Sequence, residues 1–135
     1  MSLTPTLFFK GDAEEALELY REALGGNVAI RRYNEAPGRE NGTAGWDNKV
    51  MYGMLTSAHG IVAAMDAPPE RAGDPGDNFA IAIQTSKDDT DAVFEKLAAG
   101  GSVTMPLAET FYSPRFGMLT DRFGIKWFVS APYQT

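Results

Sequence analysis

Gly25-Gly26-Asn27-Val28 and Gly100-Gly101-Ser102-Val103 stand 75 residues apart in a chain of 135, and they decide how the rest is read. Glycine accepts the left-handed backbone that ends a helix, so each pair marks a helix stop followed by a strand start. Before the first pair, Ala16, Leu19, Tyr20, Ala23 and Leu24 fall at i, i+3, i+4, i+7 and i+8, which predicts a helix over Ala13 to Leu24. Before the second, Val93, Phe94, Leu97 and Ala98 make the same kind of stripe. The chain therefore carries an internal repeat, and each copy of it is a structural unit.

Working outward, Leu3 to Phe9 is apolar and aromatic and predicts a strand, with Asp12 as the cap of the first helix. Val28 to Tyr33, Lys49 to Thr56 and Ile61 to Met65 predict three more strands, the last two joined by the turn Ser57 to Gly60. In the second half, Asn78 to Thr85 alternates Phe79, Ile81 and Ile83, and Ser86-Lys87-Asp88-Asp89 has the spacing of a capping box. Strands follow at Ser102 to Glu109, Phe116 to Thr120 and Ile125 to Ser130, with Arg122-Phe123-Gly124 as a tight turn. Both halves read β-α-β-β-β. The expectation is one α+β domain over 1–135 with half-units at about 1–66 and 78–131, two βαβββ modules forming a cupped eight-stranded mixed sheet around a pocket. Asn34 to Asn48 and Ala67 to Asp77 are irregular, and the first is a candidate lid.

Composition bounds the function. With 44% apolar residues the chain can build a core, and 22% charged residues is ordinary for a folded domain. A net charge of −6 argues against nucleic acid, whose phosphates need clustered Lys and Arg; Arg31-Arg32 is the sole adjacent basic pair. No cysteine is present, which removes disulfides and thiolate chemistry and fits the cytoplasm. The first residues lack the basic head and apolar run of a signal peptide, and Ile61 to Met65 is far too short to span a membrane. Nucleotide, zincin and hydrolase motifs are missing from the sequence.

Several runs resemble one family. Leu3-Thr4-Pro5-x-Leu7-Phe8-Phe9, Ala16-Leu17-Glu18-x-Tyr20, Gly101-x-Val103-Thr104-Met105-Pro106-Leu107, Glu109-Thr110-Phe111 and, most specifically, Phe116 through Trp127 are similar to PhnB-like proteins. These belong to the vicinal-oxygen-chelate, or glyoxalase/bleomycin-resistance/dioxygenase, superfamily. The resemblance implies the paired βαβββ fold, a homodimer and, in metal-using members, a divalent ion held by His, Glu or Gln from both halves. Other members bind a drug without metal. Carried over residue by residue, the metal slots fall at about Pro5, at Asn78 to Ala80 and at about Phe128, none a usual ligand, and Tyr52 stands where many relatives have His. No metal and no other cofactor is therefore expected. The methyltransferase label sometimes given to such proteins finds no support, since nothing here resembles a fold for S-adenosylmethionine.

The candidate site residues have two readings each. Glu109 is a general base or acceptor at the pocket, or else a solvated strand-end residue pairing Arg115. Tyr52 donates to a ligand oxygen, or fills the void of a missing ligand. Trp46 covers a ligand or partner subunit, or caps the core. Phe111, Tyr112 and Trp127 stack on a flat ligand, or pack the core. Arg115 and Arg122 grip an anion, or brace turns. His59, the single histidine, reads as an exposed turn residue. The leading expectation is a metal-free aromatic pocket lined by Tyr52, Glu109, Phe111, Trp127, Trp46 and Arg115 that sequesters or senses a small organic compound. The alternative is a lyase, isomerase or dioxygenase with an atypical metal site recruiting Glu109, with His59 as a further ligand candidate. Met51, Met54, Met65, Met105 and Met118 are compatible with a shared sheet interface in the expected homodimer.

Overall fold

A computed structural model describes residues 3–35, 46–68 and 76–133. The chain divides into two compact units, Met1–Asp74 and Pro75–Thr135. In the first, β1 (Thr6–Phe9), α1 (Ala13–Leu24), β2 (Asn27–Arg32), β3 (Val50–Ser57) and β4 (Gly60–Asp66) form a four-stranded sheet in the order β1-β4-β3-β2 with one helix. In the second, β5 (Ile81–Gln84), α2 (Thr90–Ala98), β6 (Ser102–Ala108), β7 (Arg115–Thr120) and β8 (Lys126–Ala131) repeat it as β5-β8-β7-β6. In both, the first strand pairs in parallel with the last and the other pairings are antiparallel. The fold is α+β, two βαβββ modules, as the repeat predicted. Its eight strands fall into two four-stranded mixed sheets.

The glycine pairs explain themselves in the backbone. Gly25 and Gly100 both take φ +77 at the helix ends, where an L side chain is strained. Gly26 and Gly101 lie where the next strand crosses its neighbour. A Cβ there would sit 2.1 Å from the Thr56 carbonyl oxygen in the first unit and 2.2 Å from that of Thr120 in the second. A third equivalent pair went unnoticed in the sequence. A Cβ on Gly53 of β3 would meet Leu17 of α1 at 2.6 Å, and one on Gly117 of β7 would meet Phe94 of α2 at 2.8 Å. Each helix is thus seated directly on the backbone of its unit's third strand.

Strand alternation then sorts the side chains into two faces. Toward α1 point Leu7, Phe9, Gly53, Leu55, Val62 and Ala64, all buried. Toward α2 point Ile83, Gly117, Leu119, Trp127 and Val129, also buried. The opposite faces carry Phe8, Tyr52, Ile61 and Phe128 at 65%, 39%, 39% and 37% exposure, so within each unit the helix covers one face and leaves the other open.

The caps differ from expectation. Asp12 and Ser86 do not cap their helices through side chains. Instead Asp66, at the end of β4 and 1% exposed, accepts from the N–H groups of Gly11 and Ala13 at 2.9 Å and of Val50 at 3.0 Å. A distant carboxyl therefore serves the orphan donors at the helix entry, because a buried N–H must find an acceptor. In the second unit the corresponding corner is tied by hydroxyls, with Thr85 Oγ1 and Thr90 Oγ1 2.6 Å apart and Ser86 Oγ donating to Asp89.

Asp66→Ala should cost about 3–5 kcal/mol of unfolding free energy, because three buried donors lose their acceptor. Urea denaturation followed by circular dichroism checks this. Gly101→Ala should also cost about 3 kcal/mol or more through its clash with backbone, at the upper end of overpacking penalties. Gly25→Ala meets open space and should cost only the backbone strain, about 1–2 kcal/mol.

Candidate functional site

On the open face of the second sheet lies a cavity of about 600 Å³, within the usual range for small-molecule sites. Phe79, Ala80, Ala82, Met118 and Phe128 are the apolar side chains of its lining. Asp77, Asn78, Thr104, Thr120 and Lys126 add polar groups. The floor follows from register: Ala82 pairs with Phe128 and Phe128 with Met118, so three adjacent strands present these side chains in one row. Asp77 Oδ1 and Lys126 Nζ are 3.0 Å apart, and the carboxylate is almost wholly in solvent.

A row of rings leads out of this cavity. Phe128 and Phe116 have centroids 5.9 Å apart, Phe116 and Tyr112 5.3 Å, and Tyr112 and Phe111 5.0 Å, the last two contacts edge-to-face. Phe111 stands 95% exposed at the end of the row. The turn that carries it is tightly bonded. Thr110 N donates to the Ser113 carbonyl, Tyr112 N and Ser113 N donate to Thr110 Oγ1, and the Tyr133 hydroxyl donates to the Thr110 carbonyl.

The residues singled out in the sequence are spread over both units. Trp46 and Tyr52 belong to the first. Trp46 is buried, and its indole N–H has no partner among the described residues. Residues 36–45 of the candidate lid lie outside the described residues. Tyr52 lies on the open face of β3, opposite Arg31. Glu109, Phe111, Arg115 and Trp127 belong to the second unit. Glu109 is exposed just beyond β6, and Arg115 pairs not with it but with Asp91, Nε and Nη2 each 2.9 Å from one carboxylate oxygen. That fork ties β7 to α2. Trp127 is 1% exposed on the helix-covered face, where its Nε1 donates at 2.9 Å to the buried Asp121. Asp121 also accepts from Phe123 N and Ile125 N, so it braces the β7–β8 turn for which the sequence suggested Arg122. Arg122 instead lies over the Phe123 ring, 5.0 Å from its centroid. His59 is exposed in the β3–β4 turn.

Phe79, Met118, Lys126 and Phe128 were not chosen from the sequence. Parity could have found Met118, Lys126 and Phe128, but not Phe79, which shares the parity of Ile81 and Ile83 and lies ahead of β5. In Ile125 to Ser130 the residues Ile125, Trp127 and Val129 are uniformly apolar, which marks the buried face and leaves Lys126 and Phe128 on the other.

The slots that the family resemblance assigned to metal ligands in this half, Asn78 to Ala80 and Phe128, do converge on the cavity. Their donors do not suit a divalent metal centre. Three apolar side chains and one amide take the place of imidazole and carboxylate, and the one carboxylate among the described lining residues faces solvent beside Lys126. Among the described residues, no three His, Cys, Asp or Glu side chains gather closely enough to hold a metal ion.

The titration of Asp91 follows from its partner. The hydrogen bond from Arg115 holds its carboxyl below the usual aspartate value, and the neighbouring charge lowers it further. With the folded pKa below the unfolded one, the pair's contribution is present above the ordinary aspartate value and is lost as pH falls through the folded pKa. In Arg115→Met, the Asp91 carboxyl should titrate at higher pH than in the parent. A carbon-detected NMR titration reads this, and unchanged Asp91 titration would show the fork absent in solution.

The family model described as Glyoxalase/Bleomycin resistance protein/Dioxygenase superfamily matches residues 2–129. Protein YjdN of Escherichia coli strain K12 is 28% identical over 145 residues, covering 99% of this chain and 97% of that protein. The crystal structure of protein PA1353 from Pseudomonas aeruginosa is similar with a TM-score of 0.88 and 32% identity over 99% of both chains. The PhnB protein of Bacillus cereus shares the fold, with a TM-score of 0.79 and 24% identity over 97% of this chain and 99% of that one.

Proposed function

Since the chain belongs to the Glyoxalase/Bleomycin resistance protein/Dioxygenase superfamily, we propose that it is a small-molecule-binding protein whose ligand lies on the open face of the second sheet without a resident metal. The observation that carries this reading is the character of the cavity at the family's metal slots. It is roomy enough for an organic molecule, lined by Phe79, Met118 and Phe128, and poor in metal donors. Apolar surface of this kind gains free energy when a ligand displaces its water, at about 25 cal/mol for each Å² covered. Polar groups at Thr104, Thr120 and Lys126 can then orient the molecule.

Tyr52, exposed on the first sheet's open face, and Glu109, free of ion pairs among the described residues, remain candidates for bonding a ligand's polar groups. Binding without turnover serves sequestration or sensing of the compound. A homodimer belongs to the same reading, supported by Phe8, Tyr52 and Ile61 left exposed within their unit. So does a cytoplasmic location, supported by the cysteine-free composition. Among the described residues, no helix is long and apolar enough to cross a membrane.

Untagged protein dialysed without chelator should hold well under one equivalent of Zn, Fe, Mn or Ni by inductively coupled plasma mass spectrometry. A mixed library of saturated and aromatic compounds, screened by ¹H–¹⁵N correlation, should give compounds that move the amides of Ala82, Met118, Lys126 and Phe128. One tightly held equivalent of metal would favour the lyase, isomerase or dioxygenase reading instead.

A further inference from the structure

Resting on that small-molecule reading, we propose that the ligand is a planar aromatic carboxylate, laid on the ring row with its anionic group at Lys126. Three observations lead there. The first is the row itself. Phe128 stands in the cavity, and Phe116 lies diagonal to it on the same sheet face. Tyr112 and Phe111 continue the edge-to-face and tilted contacts outward. Rings so arranged offer faces and edges of opposite partial charge, which a planar π-system can match and a saturated ring cannot.

The second is Phe111. At 95% exposure it contributes almost nothing to folding through burial, yet its turn is fixed by four hydrogen bonds. A large apolar side chain carried on a hydrogen-bonded turn, edge-to-face with Tyr112, extends the surface available to a flat molecule beyond the cavity.

The third is the charge. Among the described residues, Lys126 is the one cation lining the cavity. Its carboxylate partner, Asp77, is 94% exposed, whereas Lys126 is 37% exposed and also reaches the Asp77 carbonyl oxygen at 3.4 Å. The cation is the more enclosed member of the pair and the carboxylate the more exposed one. Such an exposed pair is weak, so a ligand carboxylate can take Lys126 while Asp77 turns into solvent. A compound without an anionic group would leave the ammonium where it is and gain only the stacking.

The test is an amide-shift titration of the wild-type protein with three probes: 2-naphthoate, its saturated analogue decalin-2-carboxylate, and the aromatic cation 2-naphthylmethylamine. The expected result is saturable shifts at Met118, Lys126 and Phe128 with 2-naphthoate, at about tenfold lower Kd than with either other probe. Lys126→Gln, an exposed change that leaves the core untouched, should abolish the preference for naphthoate over the amine. Phe116→Leu should weaken naphthoate about fivefold and leave decalin-2-carboxylate unchanged. Equal binding of decalin-2-carboxylate at the same amides would overturn the aromatic class while the small-molecule reading stood. Tighter binding of the amine would overturn the anionic group. If neither these probes nor the mixed library moved those amides, the small-molecule reading itself would fall.

Discussion

One helix can cover only one face of a four-stranded sheet, and in this chain the helix is fixed to that face by a missing side chain. Gly53 lets Leu17 reach the backbone of β3, and Gly117 lets Phe94 reach that of β7. A methyl at either position would lift the helix off the sheet or force the side chain aside. With the helix seated, alternation leaves no choice about the rest. Leu55, Val62, Trp127 and Val129 are buried beneath it, and Tyr52, Met118 and Phe128 are turned to the opposite side. The open face, and with it the cavity, is a consequence of how the covered face is packed.

The two units meet this constraint with the same backbone and different side chains. Helix stops at Gly25 and Gly100 share one dihedral angle, and Gly26 and Gly101 make the same close approach to a neighbouring carbonyl. The entries to the helices are not alike. A buried carboxyl from the last strand gathers three N–H groups in the first unit, while two threonine hydroxyls meet in the second. Backbone geometry admits only glycine at those positions, whereas a satisfied donor can be reached by many side chains. That difference explains why the repeat is visible in glycines and almost nowhere else.

The same asymmetry governs how much could be read in advance. The repeat, both helices and all eight strands were legible because periodicity and glycine stops report directly on backbone conformation. Strand ends moved by a residue or two, and β1 and β5 began later than Leu3 and Asn78, since a short apolar run does not mark where pairing starts. The capping by Asp66 was invisible, because its donors lie 55, 53 and 16 residues before it in the chain. At the candidate site the vacancy of usual metal ligands at Asn78 to Ala80 and Phe128 was legible. Trp127 drew attention as a large aromatic, yet its neighbour Phe128 faces the cavity. A one-residue difference in parity moves a side chain through the sheet.

Because the covered face carries the packing and the open face carries the cavity lining, the two are free to change separately. Replacing Phe128 or Lys126 alters chemistry on a surface to which the helix contributes nothing, so one fold can carry different chemistries there. Residues such as Trp127 and Asp121 have no such latitude, since the indole N–H and two backbone N–H groups all depend on one buried carboxyl. The covered face therefore fixes the fold, and the side chains of β5, β7 and β8 that point away from α2 set the chemistry of the open face.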